Sequence, residues 1–161
     1  LRNMPKFITY FLYTALGALV IMQFFAPKSN SAGYQSVVFF EEQTKPSQEI
    51  ATILRDNCYD CHSNQTNYPW YSEITPINYW LEEHIVDGKK HFNVSDWEKY
   101  SARKKDHKLE ELVEFVDSGE MPLDSYTWIH GDLSQKDAKL LIQWVEILRI
   151  GYQKEIAGLL K

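Results

Sequence analysis

Cys58-Tyr59-Asp60-Cys61-His62 sets two thiols three positions apart and a histidine directly after the second. On a helical turn both cysteines lie on one side, with the histidine following on the next position. This is the spacing at which a c-type haem is attached: the two thiols add to the two vinyl groups of one porphyrin, and the histidine binds the iron axially. A neutral imidazole then has its other ring nitrogen free to donate to an acceptor such as a backbone carbonyl, for which Pro69 and Pro76 are candidates. Two rival readings use the same residues. Cys58 and Cys61 are the only cysteines in 161 residues, so an exported thioredoxin-like redox pair has the same spacing, although no βαβ context surrounds it. A zinc site built on Cys58, Cys61 and His62 would need two adjacent residues to ligate one tetrahedral ion, and no second cysteine or close histidine pair completes the set.

Residues 7–26 read FITYFLYTALGALVIMQFFA without a single charge, which is the length a helix needs to cross a bilayer. Arg2 and Lys6 precede this stretch and Lys28 follows it, so the positive-inside bias puts the N-terminus in the cytoplasm and the rest outside. Bulky Gln23-Phe24-Phe25 and Pro27 stand where a signal peptidase would need small residues, which favours a retained anchor over a cleaved signal. The expected organisation is an anchor at 1–28, a linker at 29–46 and a haem-binding domain at 47–161. It places a single-pass protein in the inner membrane of a bacterium with its haem domain in the periplasm, the side on which c-type haem is attached. The first 28 residues hold three of the 17 basic side chains and none of the 22 acidic ones, leaving the remainder at −8. That charge argues against nucleic acid and anionic lipid as partners and favours a docking partner with a basic patch. About 130 residues beyond the anchor suit one compact domain.

The pattern along that domain is helical throughout, so the expected class is all-α. Val37-Val38-Phe39-Phe40 reads as an apolar segment packed on its own domain. Ser47 is an N-cap candidate before Ile50, Ile53, Leu54 and Cys58 at helical spacing, which puts the cysteines at a helix end. Tyr68-Pro69-Trp70-Tyr71 opens an aromatic, proline-punctuated loop, with Trp70 and Tyr71 as candidate haem contacts. A helix over 77–86 follows, carrying Trp80, Leu81, His84 and Ile85 on one side and ending at Gly88. Ser95-Asp96-Trp97-Glu98 and Ser134-Gln135-Lys136-Asp137 each have capping form. The first precedes a helical rhythm of Leu109, Leu112, Val113 and Val116, and the second a last helix burying Leu140, Leu141, Trp144, Val145 and Leu148. Arg103, Lys104, Lys105 and Lys108 read as a solvated helix face.

For the sixth position on the iron, Met121 is the thioether available, since Met4 and Met22 belong to the anchor. It sits in Gly119-Glu120-Met121-Pro122, where glycine ends a helix and proline stiffens a loop. A His/Met pair is common in low-spin c-type cytochromes and raises the potential. His84 and His130 are the competing ligands, while His91 and His107 lie among lysines.

Taken in order, Cys58-Tyr59-Asp60-Cys61-His62-Ser63-Asn64, Tyr68-Pro69-Trp70-Tyr71, Glu120-Met121-Pro122-Leu123, Tyr126 and Trp144 resemble the small haem-binding domain family of bacterial c-type cytochromes. Members are met in Bacteroidota-like bacteria and are usually membrane-anchored. The resemblance runs roughly from 47 to 151. It implies a cytochrome c-like helical fold, covalent haem c held by Cys58, Cys61 and His62, and the Met-Pro ligand at Met121. The function expected is electron transfer by a mono-haem carrier, as a tethered shuttle or as a subunit of a respiratory-chain complex. Its partner would be a membrane oxidoreductase or another cytochrome. No acid, base or nucleophile constellation suggests an enzyme. The rival class is a haem enzyme or a gas or redox sensor with an open sixth position, and a third is a structural accessory of a membrane assembly.

Overall fold

The computed structural model describes residues 5–159, so the expectations resting on Arg2 and Met4, and the last two residues of the domain, lie outside the described residues. Eight α-helices are joined by short 3₁₀ turns, with no strand among the described residues beyond one isolated bridge between Ser31 and Gln65. The fold is all-α, as expected.

Helix α1 (Lys6–Met22) continues through a 3₁₀ turn (Gln23–Phe25) into one apolar rod whose mean hydropathy is 1.7 and none of whose residues is buried, long and apolar enough to cross a membrane. The domain is built on α2 (Val38–Thr44), α3 (Gln48–Asn57), α4 (Tyr59–His62), α5 (Ile77–His91), α6 (Ala102–Asp117), α7 (Asp124–His130) and α8 (Gln135–Leu159). Ser47 caps α3 by accepting the Ile50 N–H, and Ser134 caps α8 by accepting that of Asp137. Helices α6 and α8 lie against each other, and Arg149 clamps them: its guanidinium meets Asp106 at 3.1 Å and Glu110 at 2.7 Å.

The core centres on Trp97, which is wholly buried and meets Phe40, Phe92, Tyr100 and Tyr152 edge-on with ring centroids 5.1–6.0 Å apart. Ile53, Leu54, Leu109, Leu141 and Val145 complete it.

Four expectations need correction. Residues 29–46 are not a free linker. The Asn30 side chain donates to the Ser63 carbonyl and to Thr66 Oγ1, the Ala32 N–H to the Asn64 carbonyl and the Gly33 N–H to Gln65 Oε1. Val37 and Phe40 then enter the core, so polar residues that looked like a tether are a stitched wall of the domain. Second, α5 runs past Gly88 to His91, because Gly88 is a point of close helix approach and not a stop. Third, the turn at Val94–Lys99 is capped by Asn93, whose Oδ1 accepts the Ser95 N–H, and Ser95 Oγ instead receives the Asn64 N–H. Fourth, Lys105 is buried. Its ammonium donates to Gln43 Oε1 at 2.7 Å and lies 5.4 Å from the Trp97 ring and 5.6 Å from that of Tyr152, so aromatic faces replace water around it.

Phe40→Ala separates the two views of residues 29–46. A core ring costs about 3–5 kcal/mol to truncate, whereas a tether residue costs under ~0.5 kcal/mol. Urea unfolding of the variant is expected to show the larger loss.

Candidate functional site

Helix α3 ends at Asn57, and Cys58 takes a non-helical conformation (φ −126°, ψ −45°) before the single turn of α4. The His62 N–H closes that turn on the Cys58 carbonyl at 2.9 Å. Cys58, Cys61 and His62 therefore stand at positions i, i+3 and i+4 of one turn, the neighbouring positions of a helix surface.

The turn is fixed from three sides. Gly88 brings α5 against it so closely that a Cβ there would lie 2.8 Å from the Cys61 carbonyl oxygen and 3.2 Å from Cys61 Cβ. At the end of α5 the Phe92 carbonyl lies 2.9 Å from His62 Nδ1, and the Phe92 ring lies 5.8 Å from the imidazole. The acceptor is thus Phe92, not Pro69 or Pro76. On the third side, Asp60 accepts the Asn67 N–H through Oδ1 at 2.8 Å and the Tyr126 hydroxyl through Oδ2 at 3.0 Å, and Tyr126 also donates to the Asp56 carbonyl. This ties α7 to the motif.

The electrostatics suit attachment better than redox exchange. Burial pushes the Cys58 thiol up to about 12, with Cys61 adding to it, and the Cys61 thiol up to about 11, with Asp60 adding to it. A thioredoxin-like pair works through a depressed thiol pKa, the opposite of what this site imposes. Burial also holds His62 below its ordinary value, against the pull of the Phe92 and Gly88 carbonyls. The ring is therefore neutral near pH 7, the form that binds metals. With Nδ1 donating to Phe92, Nε2 is the nitrogen left for an iron.

A cavity of about 260 Å³ opens at Cys61 between α4, α5 and α7, and its accessible wall is almost wholly apolar. Tyr71, Trp80, His84, Tyr126 and His130 line it with Cys61. His84 Nδ1 is engaged by the Trp80 carbonyl at 2.8 Å, while His130 stacks on Tyr126 at 4.2 Å and its Nε2 meets the Tyr71 hydroxyl at 3.1 Å. Trp128 and Ile129, both exposed, stand at the rim.

Of the expected site residues, Cys58, Cys61 and His62 come together on one turn, and Tyr71 lines the cavity with Cys61. Trp70 does not: it is exposed, and its ring meets only the edge of Tyr71 at 5.9 Å. The extended backbone of Pro69 followed by the 3₁₀ turn Trp70–Glu73 sends adjacent rings in different directions. Met121 lines a second hollow of about 520 Å³ with Val116, Pro122 and Leu133, while Leu123, two residues on, reaches the Cys61 cavity. The roles of Asp60 and Phe92 leave no signal in the sequence, Gly88 reads there as a helix stop, and Tyr126 enters only among the residues of the family resemblance.

The donor set, two protonated thiols and an oriented neutral imidazole on one turn whose Cys61 borders an apolar cavity, fits a haem. The family model of the haem-binding domain matches residues 17–147. The chain belongs to that family. No curated protein and no solved structure matches it. The match begins inside α1 and takes in residues 29–46, in keeping with the bonds that hold this segment to the haem-binding domain.

Gly88→Ala is expected to push α5 off the motif turn. Overpacking of this kind costs about 1–3 kcal/mol, and because the displaced helix carries the Phe92 carbonyl, the haem content per chain should fall with the melting temperature. An unchanged haem content would show that the approach of α5 does not govern the site.

Proposed function

We propose that this member of the haem-binding domain family is a mono-haem c-type cytochrome. It would carry single electrons at the outer face of the inner membrane as a shuttle or respiratory-complex subunit anchored by α1. The observation that carries this reading is the Cys58–His62 turn with His62 Nδ1 locked on the Phe92 carbonyl, the arrangement that fixes tautomer and ring orientation in a metal-ligating histidine. Cys58 and Cys61 would hold the group covalently and His62 would be its axial ligand. Bound haem supplies a one-electron couple at its iron.

The chain's own residues then set the conditions. Trp80, Leu81, Tyr71 and Tyr126 give the cavity apolar walls, and an apolar surround tunes the potential. Asp60, engaged by Asn67 and Tyr126, keeps the motif turn in register with α7. For the second axial position we favour Met121, whose loop leads straight into Leu123 and Tyr126 at the cavity. A second reading has a histidine there, because His84 and His130 line the cavity with Cys61 while Met121 lines the neighbouring hollow. An enzyme or sensor would instead leave that position open.

Optical spectra of the loaded full chain, native, Met121→Ala and His84→Ala, separate these. The expected result is low-spin haem that survives acid–acetone extraction, as only covalent attachment allows, with a thioether-to-iron band that vanishes in Met121→Ala and persists in His84→Ala. A spectrum indifferent to Met121→Ala transfers the role to a histidine. Rapid carbon monoxide binding by the native protein would replace electron transfer with the open-site reading.

A further inference from the structure

Gln23 is the polar residue in the last turn of an apolar rod that carries no charge after Lys6, where an unpaired amide would be costly. Its side chain is fully engaged. Nε2 donates to the Leu19 carbonyl at 2.9 Å and to the Thr75 carbonyl at 3.1 Å, and Oε1 accepts the Thr75 N–H at 3.1 Å. Two residues on, the Phe25 carbonyl accepts the Tyr79 hydroxyl. The receiving loop is itself ordered: Thr75 and Asn78 are buried, and the Asn78 amide donates to Thr75 Oγ1.

Groups that share a hydrogen bond share a depth. With Lys6–Phe25 across a bilayer, Gln23 and Phe25 lie at its outer boundary, and Thr75 and Tyr79 lie there with them. On both sides of this junction side chains that water does not favour are exposed: Phe24 at 82 % and Phe25 at 67 % on the rod, and Trp70 at 79 % on the domain, where Ile74, Ile77 and Tyr79 are also open. Tryptophan and tyrosine are the residues of the membrane–water interface, where one end of the ring system is dry and the other wet. The charge of −8 beyond the anchor leaves no electrostatic pull toward anionic lipid, so such a contact is apolar and aromatic.

We propose that residues 70–80 are a membrane-docking face. Trp70, Ile74, Ile77 and Tyr79 rest in the headgroup region of the bilayer that α1 crosses, and the Gln23–Thr75 and Phe25–Tyr79 bonds lock the domain in that pose. The proposal rests on α1 being a membrane span. It gives the Cys61 cavity an address: its wall residue Trp80 directly follows Tyr79, so this part of its wall lies within about one helical turn, roughly 5 Å, of the membrane boundary. The cavity is then held at a fixed height above the bilayer.

The test uses the haem-loaded full chain in phosphatidylcholine vesicles, with the photo-crosslinker p-benzoylphenylalanine replacing Phe24, Trp70, Ile77 or Ile147 one at a time. Lipid adducts are expected at Phe24, Trp70 and Ile77, and none at Ile147, which is exposed on α8 away from the junction. Adding Gln23→Ala should cut the Ile77 adduct about tenfold, the order expected for two neutral hydrogen bonds, while the Phe24 adduct stays. Yields should ignore salt; a loss at high salt would make the contact electrostatic and overturn the apolar face. Adducts at Phe24 with none at Trp70 or Ile77, or adducts there to a second copy of the chain, overturn the docking face and leave the anchor standing. No lipid adduct at Phe24 overturns the anchor and the docking face together.

Discussion

The near-contact between Gly88 and the Cys61 carbonyl is the constraint on which the site depends. A helix carrying any side chain at position 88 would stand off from the motif turn, since a Cβ would fall 2.8 Å from that oxygen. Because α5 comes that close, its end delivers the Phe92 carbonyl to His62 Nδ1 and its middle delivers Trp80, His84 and Ile85 to the cavity. The histidine's tautomer, its buried neutrality and the shape of the space before Cys61 follow from one missing methyl group. Phe92 also links this site to the core, for its ring packs between the His62 imidazole and Trp97. Loosening the aromatic core would therefore be felt at the imidazole, as interiors packed to crystal density transmit small displacements.

The class of fold and the chemical half of the site were legible in the sequence because both are local. Ser47 and Ser134 announce helices by satisfying backbone donors within one turn, and Cys58, Cys61 and His62 form their constellation over five residues. What escaped is long-range. Asn30, Ala32 and Gly33 have the composition of a tether, and nothing nearby reveals that their partners are Ser63 to Thr66, some thirty residues on. Lys105 belongs by type with its charged neighbours, yet Trp97, Tyr152 and Gln43 gather round it only in the folded chain. Gly88 carries the same lesson. A glycine near the end of an apolar helical run reads as a stop, and only the neighbouring turn shows that its role is contact. The hydrogen-bond acceptor for His62 was anticipated as a backbone carbonyl in kind but not in place, because a carbonyl is present at every residue and sequence cannot rank them.

Residues 29–46 and the Gln23–Thr75 junction change what the anchor means physically. A flexible tether raises the local concentration of a domain near membrane partners but leaves its orientation free. Here the chain leaves α1, bonds back to the segment after His62 through Asn30, Ala32 and Gly33, and meets α5 again through Lys89, whose ammonium donates to Asn30 Oδ1 at 2.7 Å. The segment that joins the apolar rod to the domain is thus bonded to the same turn and helix that form the cavity. The electron carrier proposed above would gain from this in a specific way: a cofactor held at a fixed separation and angle presents the same geometry at each encounter, and no conformational search need precede transfer. The haem-binding domain, the stitched segment and the rod are thus joined by hydrogen bonds at Gln23, Asn30, Ala32 and Gly33, and if the rod spans a membrane as proposed, these bonds would set the orientation of the domain.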